Sequence, residues 1–273
     1  RTTENTYLME NCLIALLGVA FSLSSTAQVV KVVSTEPLLR GVESGMYHPT
    51  VSPDGENLLF TSENFTGLKV YNFKDNVTTK ISDEPRAGFM PQFVKNEVVF
   101  NTRAKGNFGK NAVVSQKYVL SSDVKKLPVT ARTEGSVIYI TKNGVEKGYT
   151  PVECYAGYLW ESVSPDATKV MFYAAGKGIV ITDLNGKVLS MPGNFENPVW
   201  LGNDAIAAMH ATDDGHQFSS SQIVALSLDG KTVQELTSPE SMTMYPTTTA
   251  DGKTIIYGTI DGRLYKMNVQ PLK

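Results

Sequence analysis

The stretch His48-Pro49-Thr50-Val51-Ser52-Pro53-Asp54-Gly55 runs directly into Glu56-Asn57-Leu58-Leu59-Phe60-Thr61-Ser62. The proline presets φ for a turn, the aspartate caps the backbone, and the glycine accepts positive φ. The apolar run behind that turn reads as a strand. The same order returns in Trp160-Glu161-Ser162-Val163-Ser164-Pro165-Asp166-Ala167, and again in Tyr245-Pro246-Thr247-Thr248-Thr249-Ala250-Asp251-Gly252. Weaker copies begin at Met90-Pro91-Gln92-Phe93 and Asn197-Pro198-Val199-Trp200.

Further hairpin signals follow the copies at Asp75-Asn76, Asn143-Gly144, Asn185-Gly186 and Asp229-Gly230. Each unit therefore reads as two hairpins in about 40 residues, which is one four-stranded blade of a β-propeller. No stretch from 28 to 273 carries the period of a long amphipathic helix. The fold class expected is all-β.

Ser52-Pro53-Asp54-Gly55-Glu56-Asn57-Leu58-Leu59-Phe60-Thr61-Ser62, continuing to Gly67-Leu68-Lys69-Val70-Tyr71, resembles the WD-like repeat of the TolB-type β-propellers. The resemblance extends over nearly all of 28–273 at the level of the blade. It implies a propeller of the bacterial envelope and is specific for fold, not for function. The copies depart from the pattern where Ala167 replaces the turn glycine, and where Lys95-Asn96 and Gly202-Asn203-Asp204 replace the whole turn.

Blade starts fall near 48, 91, 160, 198 and 246. The gap from 91 to 160 is too long for one repeat and too short for two. The reading is five blades with an insertion at about 104–132, the blade resuming at Gly135-Ser136-Val137-Ile138-Tyr139-Ile140. The alternative is a six-bladed ring with one incomplete blade. Val29–Pro37 resembles Thr232–Pro239, so an N-terminal strand is expected to complete the last blade and close the ring.

The chain has 273 residues, 25 Lys+Arg against 27 Asp+Glu, and 41% apolar residues, enough for a sizeable core. A near-zero net charge and a pI of about 6.0 argue against a nucleic-acid partner. Residues 12–23 form an apolar run too short to span a bilayer, with small residues Ser25 and Ala27 behind it. This suits a signal peptide over 1–27, cut before Gln28, although only Arg1 supplies a basic residue ahead of the run. Its removal takes Arg1, Glu4, Glu10 and Cys12, leaving 24 basic and 25 acidic residues and Cys154 alone. No internal disulfide is then possible. The expected protein is periplasmic or secreted, with no membrane span after cleavage.

The predicted innermost strands contain one acidic residue, Glu161, whereas glycoside hydrolysis needs two carboxylates flanking a bond. His210, Asp213, Asp214 and His216 are the best metal-ligand cluster, but Asp213-Asp214-Gly215 also makes a plain turn, so no metal is assigned. Cys154 has no local histidine partner and reads as a buried thiol. Gly106-Asn107-Phe108-Gly109-Lys110 lacks the spacing of a phosphate loop. No catalytic residues and no cofactors are therefore expected.

What remains is aromatic. The loops expected on the functional face hold Tyr47, Phe65, Phe89, Phe108, Tyr155, Tyr158, Trp160, Phe195, Trp200, Phe218 and Tyr245. Some of these head innermost strands, where packing between blades is the ordinary role. The ligand- or partner-binding set is Phe65, Arg86, Phe108, Tyr155, Tyr158, Trp160, His216 and Phe218, with Lys105 and Lys110 making the insertion mildly basic. The expected function is non-catalytic binding of another envelope or secreted protein through the loop face. The alternative is a carbohydrate- or small-ligand-binding propeller, and more remotely a propeller glycoside hydrolase. A flat aromatic face would favour the first, and one ligand-sized pocket the second.

Overall fold

The computed structural model describes residues 27–38, 45–94, 97–105, 111–120, 128–215 and 217–272. Its strands form six small antiparallel sheets, the blades of a β-propeller. Strand β1 (Val30–Pro37) stands apart in sequence from the blade it joins. The first blade is β2 (Tyr47–Val51), β3 (Asn57–Thr61), β4 (Leu68–Asn72) and β5 (Val77–Ser82). The second is β6 (Gln92–Val94), β7 (Glu97–Lys105) and β8 (Asn111–Val119). The third is β9 (Val129–Glu134), β10 (Val137–Lys142) and β11 (Val145–Tyr149). The fourth is β12 (Tyr158–Val163), β13 (Lys169–Ala174), β14 (Gly178–Asp183) and β15 (Val188–Gly193). The fifth is β16 (Glu196–Leu201), β17 (Ala205–Asp213), β18 (Phe218–Ser227) and β19 (Val233–Glu235). The sixth is β20 (Thr243–Thr248), β21 (Thr254–Thr259) and β22 (Leu264–Pro271), completed by β1.

The six-bladed alternative is thus the one found, and the five-bladed reading with an insertion at 104–132 is corrected. The reason lies in the places the strands occupy. The turn between the second and third strands of a blade touches the head of the next blade's innermost strand. Met46 N–H donates to Gly262 O in this way, and Gly88 N–H to Phe65 O. Tyr158 N–H donates to Gly135 O in the same manner, so β9 and β10 hold the second and third places. Among the described residues, the second blade lacks its outermost strand and the third its innermost. Two neighbouring partial blades share one long gap between repeat starts.

The blades bury both faces of their central strands. Side chains alternate along a strand, so successive residues pack against opposite neighbours. On β3, Leu58 and Phe60 meet the sixth blade while Leu59 meets the second. On β13, Val170 and Phe172 meet the third blade while Met171 meets the fifth. Strands buried on both faces read as continuous apolar runs. Leu58-Leu59-Phe60 and Val170-Met171-Phe172 are such runs.

The ring closes as the sequence suggested. β1 pairs antiparallel with β22, from Val30 opposite Pro271 to Pro37 opposite Tyr265. Gln234 of the fifth blade clasps this strand: its side-chain oxygen accepts from Val29 N–H and Val30 N–H at 2.8 and 2.9 Å, and its amide donates to Val30 O. The expected export segment falls on residues outside the described ones, apart from Ala27. Among the described residues no helix is long and apolar enough to cross a membrane.

Candidate functional site

The innermost strands begin with a repeated irregularity. His48, Met90, Trp160, Asn197 and Tyr245 stand at equivalent places in five blades, and all have φ between 50 and 55°. Non-glycine residues adopt this left-handed conformation rarely and at a cost of about 1–3 kcal/mol each. In four blades the strand register shifts at this point, between Tyr47 and Thr50, Leu159 and Ser162, Glu196 and Val199, and Met244 and Thr247. These are β-bulges, which re-aim a side chain and leave one residue unpaired. Proline follows the strained residue in four of the five copies, as Pro49, Pro91, Pro198 and Pro246. A proline has no N–H to lose at a bulge.

The bulges turn their side chains to one end of the channel. His48, Met90, Trp160, Asn197 and Tyr245 all line a cavity of about 520 Å³ there. Phe65 and Phe89 extend its wall. The His48 ring stacks on Phe65 at 4.1 Å between centroids and tilts against Tyr245 at 4.4 Å. Phe65 meets Phe89 edge to face at 5.3 Å. Phe89 is placed by its neighbour Gly88, where a Cβ would come within 2.0 Å of the Thr61 hydroxyl, so only glycine fits. The Arg86 guanidinium lies 4.8 Å from the Phe89 ring centroid, and its buried Nε has no hydrogen-bond partner.

The cavity is mostly apolar, with polar points at Thr50, Thr133, Glu161 and Asn197. The Thr133 hydroxyl donates to Glu161 Oε2 at 3.0 Å across the third and fourth blades. Burial lowers the His48 pKa against the pull of the Glu63 backbone, so the imidazole is neutral near pH 7. Burial and the Glu196 carboxylate raise the Tyr245 pKa. Burial, together with Asp213, also raises Glu196, which His210 partly offsets. The rim is exposed and apolar: Met90 is 53%, Leu159 46% and Phe89 36% exposed.

The structure brings together part of the expected set. Phe65 and Trp160 line the cavity, and Arg86 sits at its rim. Tyr155 is 97% exposed in the connection between the third and fourth blades. Phe218 heads β18, half-buried, and does not line the cavity. Tyr158 is corrected from a surface candidate to a packing residue. It is 3% exposed, lies 4.4 Å from Phe172 and bonds through its hydroxyl to Val152. Phe108, Lys110 and His216 lie outside the described residues. His48, Met90 and Asn197 were missed, and the position ahead of each repeat's proline was the signal for these three, as it is for four of the five strained residues.

Residues of the other candidate sites make local contacts. Asp213 accepts from Gly215 N–H and Asp214 from Gln217 N–H, as turn residues do. Among the described residues no three His, Cys, Asp or Glu are placed to hold a metal. Cys154 is buried, its thiol directed at the Gly157 and Ala175 carbonyls. Among the residues lining the cavity, Glu161 is the sole carboxylate.

The far end of the channel holds a second cavity of about 420 Å³, between Val51, Val163, Val199 and Thr247. It is framed by the proline–aspartate turns. Asp166 accepts from the Ser164 hydroxyl and from Thr168 N–H, and Asp251 from the Thr249 hydroxyl and Lys253 N–H. Burial alone would raise the Asp166 pKa, but these bonds hold it at about 2.

Neither a known family model nor a curated protein matches the chain. Solved structures do. A chain of the mitotic checkpoint complex aligns with a TM-score of 0.50 at 12% identity, covering 83% of this chain and 76% of its own. A protein assigned as TolB from Agrobacterium tumefaciens aligns with a TM-score of 0.48 at 16% identity, covering 84% of this chain and 91% of its own. At 12% identity the likeness to the checkpoint-complex chain shows the fold alone.

Proposed function

We propose that this chain is a non-catalytic, exported propeller of TolB-like type that binds another protein of the cell envelope or its surroundings through the channel mouth. One observation carries the reading. Five blades each spend backbone strain to aim a non-glycine side chain at the same opening. Strain repeated at one place points to use there, because a turn that served only folding would relax to glycine. The exposed Met90, Leu159 and Phe89 continue the cavity outward as an apolar rim. The surface is a funnel rather than the flat aromatic face a broad scaffold would use. It suits a partner that inserts a segment.

A test is capture from envelope extract with the parent chain, a Trp160→Ala/Tyr155→Ala variant and an Asp251→Asn variant at the far end. A partner held by the parent and the far-end variant, and lost with the mouth variant, is expected. Equal capture by all three would move the binding surface elsewhere. A second reading, a sugar or small ligand, draws support from the size of the cavity, which lies within the range of ligand pockets. Binding to a glycan panel, lost with Trp160→Ala, would favour it.

A further inference from the structure

Resting on the mouth as the binding surface, we infer that what enters it is an organic cation, the guanidinium or ammonium of a partner's basic side chain, held between Glu161 and the aromatic walls. Glu161 is the sole charged residue lining the cavity. Its Oε2 accepts from the Thr133 hydroxyl, and among the described residues no ion pair engages it. A carboxylate on a mostly apolar wall, bonded to one hydroxyl, can take a charge-assisted bond from a ligand that brings a cation. The walls suit the same charge. Trp160, Tyr245, Phe65 and Phe89 line it with aromatic rings, whose quadrupole attracts cations, as Arg86 over Phe89 already illustrates.

Two neighbouring groups favour a cation, and the Arg86 cation stays at the rim. The Glu196 carboxylate acts on Tyr245 from behind the wall, adding negative potential. His48 is neutral near pH 7 and does not occupy the cation's role. Arg86 lies over Phe89 at the rim and does not line the cavity, so it leaves Glu161 unpaired.

The chain has two tryptophans, and they report the two ends of the channel. Trp160 lines the mouth and Trp200 the far cavity. The test is titration with N-acetyl-argininamide, followed by the two indole N–H signals in nitrogen–proton NMR spectra. The neutral isostere N-acetyl-citrullinamide serves as control. The arginine probe is expected to shift the Trp160 signal saturably and leave Trp200 in place. The citrulline probe, and the arginine probe with Glu161→Gln, should bind at least about tenfold more weakly. An unmoved Trp200 signal in the variant reports an intact fold. Equal shifts by the two probes, equal binding to Glu161→Gln, or no Trp160 shift would each overturn the inference. A partner captured equally by the parent and by Glu161→Gln, yet lost with Trp160→Ala, would leave protein binding standing and remove the cation alone. Capture indifferent to Trp160 would remove the mouth itself.

Discussion

The two ends of the channel are built by opposite means. At the far end the backbone is capped: Ser164 with Asp166 and Thr249 with Asp251 satisfy each turn through short side-chain bonds. Ser52 with Asp54 repeats the device in the first blade. At the mouth the backbone is strained. Seven of the eleven non-glycine residues with positive φ among the described ones cluster there: His48, Phe65, Arg86, Met90, Trp160, Asn197 and Tyr245. The turns at one end stabilise the blade, and the bulges at the other cost stability to hold side chains in place. The repeat motif that stands out in the sequence therefore marks the scaffold. The proposed binding surface sits at the opposite end of the same strands.

The largest test of this contrast asks whether the two ends stand or fall together. Deleting residues 28–38 removes β1, its pairing with β22 and the Gln234 clasp. It also exposes the β22 edge and takes Val30 from the core between the fifth and sixth blades. The whole domain is expected to lose cooperative unfolding, seen as a collapsed calorimetric transition. An unchanged melting temperature would sever closure from stability.

Next in size, Asp166→Ala removes three local hydrogen bonds at the far end. A loss of about 1–2 kcal/mol in urea unfolding is expected, as for a lost helix cap, with the mouth unaffected. Because the Asp166 pKa is held below its ordinary 3.8, its stabilisation is complete above that value. It disappears as pH falls through about 2. Asp166→Ala should therefore cost nothing more once the carboxyl of the parent is protonated.

Asn197→Gly tests the mouth in the opposite direction. With φ at 51°, Asn197 pays for a conformation that glycine adopts freely. The variant should be more stable by about 0.5–1 kcal/mol, the reverse of what a glycine in a regular strand would do. A destabilised variant would mean that the Asn197 side chain supports the fold.

These contrasts also explain what could be read from the chain alone. Proline, aspartate and glycine at fixed spacing carry turn chemistry locally, so the blades were legible. Closure by β1 was legible too, because Val29–Pro37 repeats the outermost strand of the fifth blade. The blade number was not, since the repeat motif marks no start for the third blade and, among the described residues, the second and third blades each have three strands. Nor was the fate of Tyr158. It lies two residues ahead of the bulge at Trp160 and faces the core with Phe172, whereas Trp160 faces the mouth. Period-two alternation would place both on one face. A bulge breaks that alternation, and at Trp160 no proline follows to announce it.

His48 gives the smallest effect, and it separates the two ends by pH. Its pKa in the folded chain is lowered from the ordinary 6.5, chiefly by burial. The unfolded chain therefore binds the proton more readily, and stability falls as pH drops below 6.5. Glu196 acts with the opposite sign in a lower window. Its raised pKa means that its unfavourable contribution sets in as pH rises past the ordinary 4.5. Between these two values the groups oppose each other as pH falls, His48 weakening the mouth and Glu196 relieving it, before the Asp166 turn begins to titrate. Urea midpoints of the parent and of His48→Gln, compared on either side of 6.5, isolate the histidine. The parent should weaken on the acid side relative to the variant. Parallel curves would place the imidazole in water and remove burial as the reason that the mouth carries no positive charge near neutral pH.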